Sequence, residues 1–166
     1  EEKNRTTPNL KRNLAPKVLG LSESGKMPPQ ATDIEEAVIG AMLLEKNAVN
    51  DAIDILRPES FYKPEHEKIF SVILDLFASS ESIDILSVTE RLRKKGELDL
   101  VGGPGFINRL TNKVASAAHI EYHARIIAEK FILRSLIEVS SEVIKNSYDE
   151  TQDVFDVLNE AEEGLF

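Results

Sequence analysis

The sequence predicts an all-α fold, a compact helical globule followed by an antiparallel helical hairpin. Three features carry that expectation. No stretch alternates apolar and polar residues for long enough to make a strand. Apolar residues recur instead at three- and four-residue spacing between helix caps. The run over residues 120–148 contains neither Gly nor Pro, and as one helix it spans ~40 Å. Its apolar residues are too many for a single stripe. Ile127 and Phe131 lie on one side, while Ile126, Leu133, Leu136 and Ile137 cover another. A surface helix needs one apolar face. This one is expected to meet its own domain on the first face, and the following segment or a second copy of the chain on the other.

Bulk composition narrows the function classes. The 166 residues suffice for one well-cored domain with some tail to spare. No apolar run approaches a membrane span, and the first residues lack the order of a signal peptide. Cysteine is absent, which excludes thiolate chemistry and disulfides and fits a reducing, cytoplasmic setting. The formal charge of −9 argues against nonspecific nucleic-acid binding by the folded body.

Residues 1–30 read as a flexible, mildly basic leader, with Lys3, Arg5, Lys11, Arg12, Lys17 and Lys26 outnumbering Glu1, Glu2 and Glu23. Within it, residues 20–27 imitate a phosphate-binding loop up to the last position. Met27 supplies no hydroxyl for magnesium, and Pro28 and Pro29 prevent a helix from opening at Lys26, so the match is rejected.

A globular subdomain is expected over residues 31–118. Thr32 and Glu35 form a capping box, with Ile34, Ala37, Val38, Ala41 and Met42 on one face, and Gly40 marks a close helix crossing. Asn47 caps a second helix whose Val49, Ala52, Ile53 and Leu56 face inward, ended by Pro58. Phe61 and Tyr62 plug the core from the next loop. Pro64 opens a third helix with Ile69, Ile73, Leu76 and Phe77 inward and Phe70 and Leu74 beside them, stopping at Ser79 and Ser80. His66 reads as a hydrogen-bonded core residue. Ser87 and Glu90 form another capping box, for a helix that stops at Gly96. The glycines at 102, 103 and 105 turn the chain into a short helix carrying Phe106, Ile107 and Leu110.

Residues 119–166 are expected to form the hairpin. A turn over 146–151 follows the long helix, Thr151 caps the last one, and Asp153 lies near its N-terminus. Val154, Val157, Leu158, Ala161 and Leu165 make one stripe. Two helices joined by so short a turn lie antiparallel. The pattern runs uncapped to Phe166, as though continuing into something longer.

Residues that could carry chemistry are few. His66 and Glu67 begin a zinc-protease helix motif, but Phe70 stands where its second ligand belongs. His119 and His123, four apart, have no third ligand in view, so no metal is expected. The carboxylates from Asp149 to Glu163 form a solvated face, and no nucleophile elbow exists. Spacing and composition thus point to a non-catalytic interaction module.

The order of these pieces resembles the N-terminal domain of bacterial DnaB-type replicative helicases. The marks are Pro28 and Pro29 before the first helix, then Glu35, Glu36, Ala37, Val38, Ile39 and Gly40. Phe61, Tyr62, His66, Ile69, Phe70, Ile83 and Asp84 continue the pattern. Leu92, Gly96, Leu98, Gly102, Gly103, the Ser116, Ala117, Ala118 entry to the long helix, Arg134 and Glu162 complete it. His119, His123, Pro104 and Gly105 depart from the usual pattern and affect only local capping and packing.

The resemblance implies an oligomerisation and primase-docking collar without catalysis of its own. Hairpins pair two subunits, and three such dimers crown a hexameric ring. A DnaG-type primase and a helicase loader are the further protein partners. ATP, magnesium and single-stranded DNA belong to an ATPase motor that would follow a linker beyond the hairpin, leaving no cofactor here. Ile126, Phe131, Ile132, Leu133 and Ile137, with Val154, Leu158, Ala161 and Leu165, are assigned jointly to hairpin closure, dimerisation and primase docking. Phe61, Tyr62, His66, Ile69, Phe70 and Ile73 are assigned to the globule's core. The alternative function is a helical DNA-binding domain using the leader and the cluster Arg91, Arg93, Lys94 and Lys95.

Overall fold

Every regular element is helical in the computed structural model, which describes residues 25–114 and 119–165, with the side chain of Leu165 left out. The leader up to Ser24 and the Ser116, Ala117, Ala118 entry therefore lie outside the described residues. The described part of the rejected loop, from Gly25 through Met27, opens no helix.

The hub is α1 (Thr32–Leu44), since Val38, Ile39, Gly40, Ala41, Met42 and Leu43 are all buried. One apolar face was the expectation. A helix covered on every side needs apolar residues on every side, and α1 is packed against most of the other elements. Its start also differs. Ala31 is the N-cap, its carbonyl accepting from the amides of Ile34 and Glu35, and no side chain caps the end. Glu35 is drawn inward by buried donors instead of closing a box with Thr32.

After α1, the Glu45 amide still donates to the Ala41 carbonyl, and Glu45 serves at once as the first residue of α2 (Lys46–Ile53) outside the helix. That abutment starts α2 before Asn47, which caps nothing. Ala48, Val49, Ala52 and Leu56 are buried, whereas Ile53 is half-buried. A 3₁₀ turn, Pro58–Ser60, then leads to α3 (Pro64–Ala78), opened by its proline as expected.

On α3 the buried line is His66, Ile69, Phe70, Ile73 and Leu76. Phe77 is 41% exposed, against expectation, because the last turn of α3 runs out beside an open cleft of about 490 Å³. The helix ends where Ser80 adopts φ +56. The capping box of α4 (Ile85–Lys94) sits one turn earlier than expected. Asp84 accepts from the Ser87 amide and the Ser87 hydroxyl accepts from the Asp84 amide, both at 2.9 Å, so Ser87 occupies the third position and Glu90 is free of the box.

Gly102, at φ +100, turns the chain into α5 (Gly103–Asn112), a conformation that costs glycine little. Where α5 crosses α1, a Cβ on Gly40 would stand 2.1 Å from the Leu110 carbonyl oxygen. The crossing needs hydrogen at that position. The last two helices, α6 (Ile120–Ser147) and α7 (Val154–Leu165), make the hairpin. Its direction is antiparallel: Asn146 donates to Glu160 at 2.9 Å, while Gly164 approaches Val139 further back along α6. The cap of α7 is Asp153, which accepts from the Phe155 amide at 2.8 Å. Thr151 instead donates its amide and hydroxyl to Asp149 within the turn, which holds the Asp149 carboxyl below its ordinary pKa.

Candidate interaction surface

The first turns of α6 belong to the globule: Ile120, Ala124 and Ile127 are buried in the same core as Ile39, Met42 and Phe61. One turn further, Phe131 is half-buried and Arg134 ends the inward line. The spacing 120, 124, 127, 131, 134 keeps all five on one side of the helix.

Arg134 fastens the hairpin to the globule. Its guanidinium donates to the carbonyls of Pro29 and Ser60, each at 2.8 Å, and lies over the rings of Tyr62 and Phe131. Burial pushes its pKa below the ordinary arginine value, opposed by the Glu35 carboxylate and by Tyr62. Arginine stays cationic through such shifts, and its planar fork suits two carbonyls at once. Behind it, Glu35 and His66 are both 1% exposed. Glu35 accepts from the amides of Tyr62, at 2.7 Å, and Lys63, and from His66 Nδ1 at 2.7 Å. His66 in turn stacks on Phe106. This network makes one unit of the first helix, the loop before α3, and α6.

Phe61, His66, Ile69, Phe70 and Ile73 are accordingly core residues. Tyr62 is not: it is half-buried, at the core's edge beneath Arg134, because its ring is needed as the cation's platform. The parts played by Glu35 and Arg134 escaped sequence reading. Their signal was position. Glu35 stands three, four and seven residues before Val38, Ile39 and Met42, so an acid lies on a buried line; Arg134 continues the line of Ile127 and Phe131 in the same way.

On another side of α6 a second apolar line begins before Arg134 and continues past it. Ile126, Leu133, Ile137 and Ile144 fall within about 40° of one another at 100° per residue. Leu133 is 44% and Ile144 59% exposed, with Ile126 and Ile137 half-buried. Their seven- and four-residue spacing is that of a helix–helix seam. Ile132 and Leu136, 55% and 43% exposed, flank this line on the side of α7. On α7 the turn toward α6 uses Val157, Ala161 and Gly164, which leaves Val154 and Leu158 in solvent. Leu165 lies in α7, its side chain outside the described atoms.

The basic cluster on α4 is largely neutralised. Arg91 pairs with Glu81 at 2.6 Å, Arg93 with Glu90, and Lys95 with Asp75. Cations already holding carboxylates make a poor phosphate surface. Among the described residues, no three His, Asp or Glu side chains gather as metal ligands, and no helix is long and apolar enough to cross a membrane.

The order and packing of these helices have counterparts. A family model of the DnaB-like helicase N-terminal domain matches residues 27–129. The chain belongs to that family. Replicative DNA helicase DnaB of Rhodothermus marinus is 47% identical over 144 residues, which is 87% of this chain and 15% of the relative. Replicative DNA helicase DnaC of Bacillus subtilis is 38% identical over 140 residues, 84% of this chain and 31% of that protein. The chain therefore spans a minor part of the DnaB-like relatives it matches. In three dimensions it resembles the N-terminal domain of DnaB helicase from Mycobacterium tuberculosis, with a TM-score of 0.80 and 37% identity over 84% of this chain and 98% of that one. A second similar structure is of a DnaB-like replicative helicase and its interactions with primase, with a TM-score of 0.68 and 27% identity, covering 80% of this chain and 31% of that one.

Proposed function

We propose that this DnaB-like domain is the collar module of a replicative helicase, pairing with a second copy through the hairpin and docking a DnaG-type primase. The observation that carries the reading is the uncovered apolar line on α6, where Leu133 stands exposed beside the Arg134 anchor and Ile144 stands exposed beyond it. Exposed apolar lines at helix–helix spacing are made for another helix. In the parent protein three such dimers complete a hexameric ring. The ATP, magnesium and single-stranded DNA of 5′ to 3′ translocation belong to a motor domain following a linker after the hairpin, and a loader opens the ring inside the cell. The module itself contributes geometry and contacts, with no bond-making step.

Sedimentation equilibrium of the chain over a wide concentration range tests the self-association, and titration with the helicase-binding domain of a DnaG-type primase tests the docking. A concentration-dependent dimer that retains primase is expected. A strictly monomeric mass at the highest concentration, or intrinsic ATP hydrolysis by the chain, overturns the reading. The DNA-binding alternative has no such support, since the acids paired with Arg91, Arg93 and Lys95 occupy the surface it requires.

A further inference from the structure

We propose that α6 bends at Ser140 and Ser141, a joint that changes the angle of the far half of the hairpin while the near half stays clamped to the globule. The near half is fixed by buried Ile120, Ala124 and Ile127, and by the two bonds from Arg134 to the carbonyls of Pro29 and Ser60. Every residue from Ser135 to Ser147, by contrast, is half-buried or exposed, so no core holds this stretch straight. Within it, the Ser140 hydroxyl donates to the Leu136 carbonyl at 2.6 Å and the Ser141 hydroxyl to the Ile137 carbonyl at 2.8 Å. Ser147 does the same to Val143 at 2.6 Å. Those carbonyls are the ones the helix ladder uses for the amides of the same serines. A hydroxyl that competes for its own residue's ladder acceptor slightly weakens a helix and often bends it. Sharp bends are found where a side chain enters the ladder in this way.

Two further features soften the same level of the hairpin. Val139, Ser140, Ser141, Val143 and Ile144 follow one another with only Glu142 between them, and all five belong to the weaker half of the helix-forming scale. Opposite Val139, α7 presents Gly164, which brings no side chain to brace the stretch. From Ser141 to Tyr148 is about 10 Å along the axis, so a bend of about 20° at the joint shifts the turn of the hairpin by about 4 Å. Ile137 and Ile144 stand on either side of the serines, on the uncovered apolar line. A straight helix drifts about 20° from a seven-residue repeat in each heptad. A joint between the two isoleucines takes up that drift as the line follows a partner helix. That use rests on the collar reading; the softness of the joint does not.

Nuclear magnetic resonance of the full chain tests the joint. Leu133→Ser is present in every arm, to keep copies from pairing along the exposed line without touching the serines. Amides of residues 139–147 are expected to exchange with solvent at least about tenfold faster than those of 124–134. Their N–H residual dipolar couplings should report an alignment order lower by about a tenth, as a swing of about 20° requires. Ser140→Ala with Ser141→Ala should slow that exchange about fivefold and bring both halves of α6 to one alignment. Ser140→Thr with Ser141→Thr keeps a hydroxyl on each carbonyl and should leave the joint as it is. Uniform protection and a single alignment along α6 with its serines intact overturn the proposal. So does a far half that is loose but indifferent to the alanine pair, which is ordinary fraying, and so does a threonine pair that stiffens it as much as alanine. Sedimentation of the chain without Leu133→Ser reads self-association separately. A monomer with a joint sinks only the collar reading, and a dimer without one sinks only the joint.

Discussion

The globule and the far half of the hairpin handle opposite kinds of side chain in opposite ways. In the globule a carboxylate and an imidazole are buried at 1% exposure, each with partners, and no described buried side-chain nitrogen or oxygen lacks a hydrogen bond. On the hairpin the polar groups are solvated, and it is leucine, isoleucine and phenylalanine that stand in water. A polar group in the core is costly unless it is matched. An apolar group at the surface is costly until a partner arrives. The first region covers its apolar surface within one chain, while the second leaves apolar side chains exposed. Substitutions should therefore unfold the first and merely disconnect the second.

The largest effect is expected at Glu35. Glu35→Ala strips the acceptor from two amides and from His66, leaving buried donors unpaired. Each buried donor left without its acceptor costs about 1–3 kcal/mol, so the loss of three bonds together costs on the order of 4 kcal/mol. For a chain of this size that lowers the melting temperature by on the order of 10 °C. Thermal melts followed by circular dichroism check it, and a melt unchanged from wild type would mean the network is ornamental. Arg134→Met should cost about 2 kcal/mol through two lost charge-assisted bonds, with much of the side chain's packing retained. Its second signature is regional. Proteolysis under native conditions should cut near Pro29 and on α6 faster than within α3, since the clamp joining those segments is gone.

Two glycines sharpen the comparison. At Gly40 a Cβ meets backbone, the Leu110 carbonyl at 2.1 Å, and α1 and α5 must move apart. Overpacking of that kind costs about 1–3 kcal/mol, more than the roughly 1 kcal/mol of helix propensity that alanine returns. Gly40→Ala should be destabilising by denaturant titration. At Gly164 the nearest atoms are the methyls of Val139, at 3.0 and 3.1 Å, and a rotamer change can relieve them. Gly164→Ala should fall within about 0.5 kcal/mol of wild type.

The same contrast explains what could be read from the sequence. Helix classes, the Pro64 start, the Gly40 crossing and the two-faced long helix follow from periodicity and punctuation, which are local. The caps expected at Ser87 and Thr151 were displaced because a neighbouring side chain, Asp84 or Asp153, reaches the free amides instead, whereas α1 and α2 start at Ala31 and Glu45 with no side-chain cap at all. Glu35 went further: three donors from the loop and helix after residue 60 turned it inward, a demand invisible to a local window. Phe77 failed for the reverse reason, since its spacing was right and the layer above it ended. For the hairpin the apolar excess was legible, whereas its division was not. Only the packing of Val157 and Gly164 on α6 shows that Val154 and Leu158 face away.

The smallest effect on stability, and the one most telling for function, belongs to the exposed line. Leu133→Ser combined with Ile144→Ser removes apolar surface that the single chain does not cover, at positions 44% and 59% exposed. Surface changes away from caps and cores usually shift stability by less than about 0.5 kcal/mol, so the melt at low concentration should match wild type. Self-association should weaken by at least about tenfold, because each side chain buried between copies contributes on the order of 1 kcal/mol or more. Light scattering across a dilution series separates the two readouts. If the melt falls while association persists, the line is packed within the protomer and the seam lies elsewhere. If both are unchanged, the second face of α6 is idle, and the difference between the two halves of the molecule is one of solvation alone.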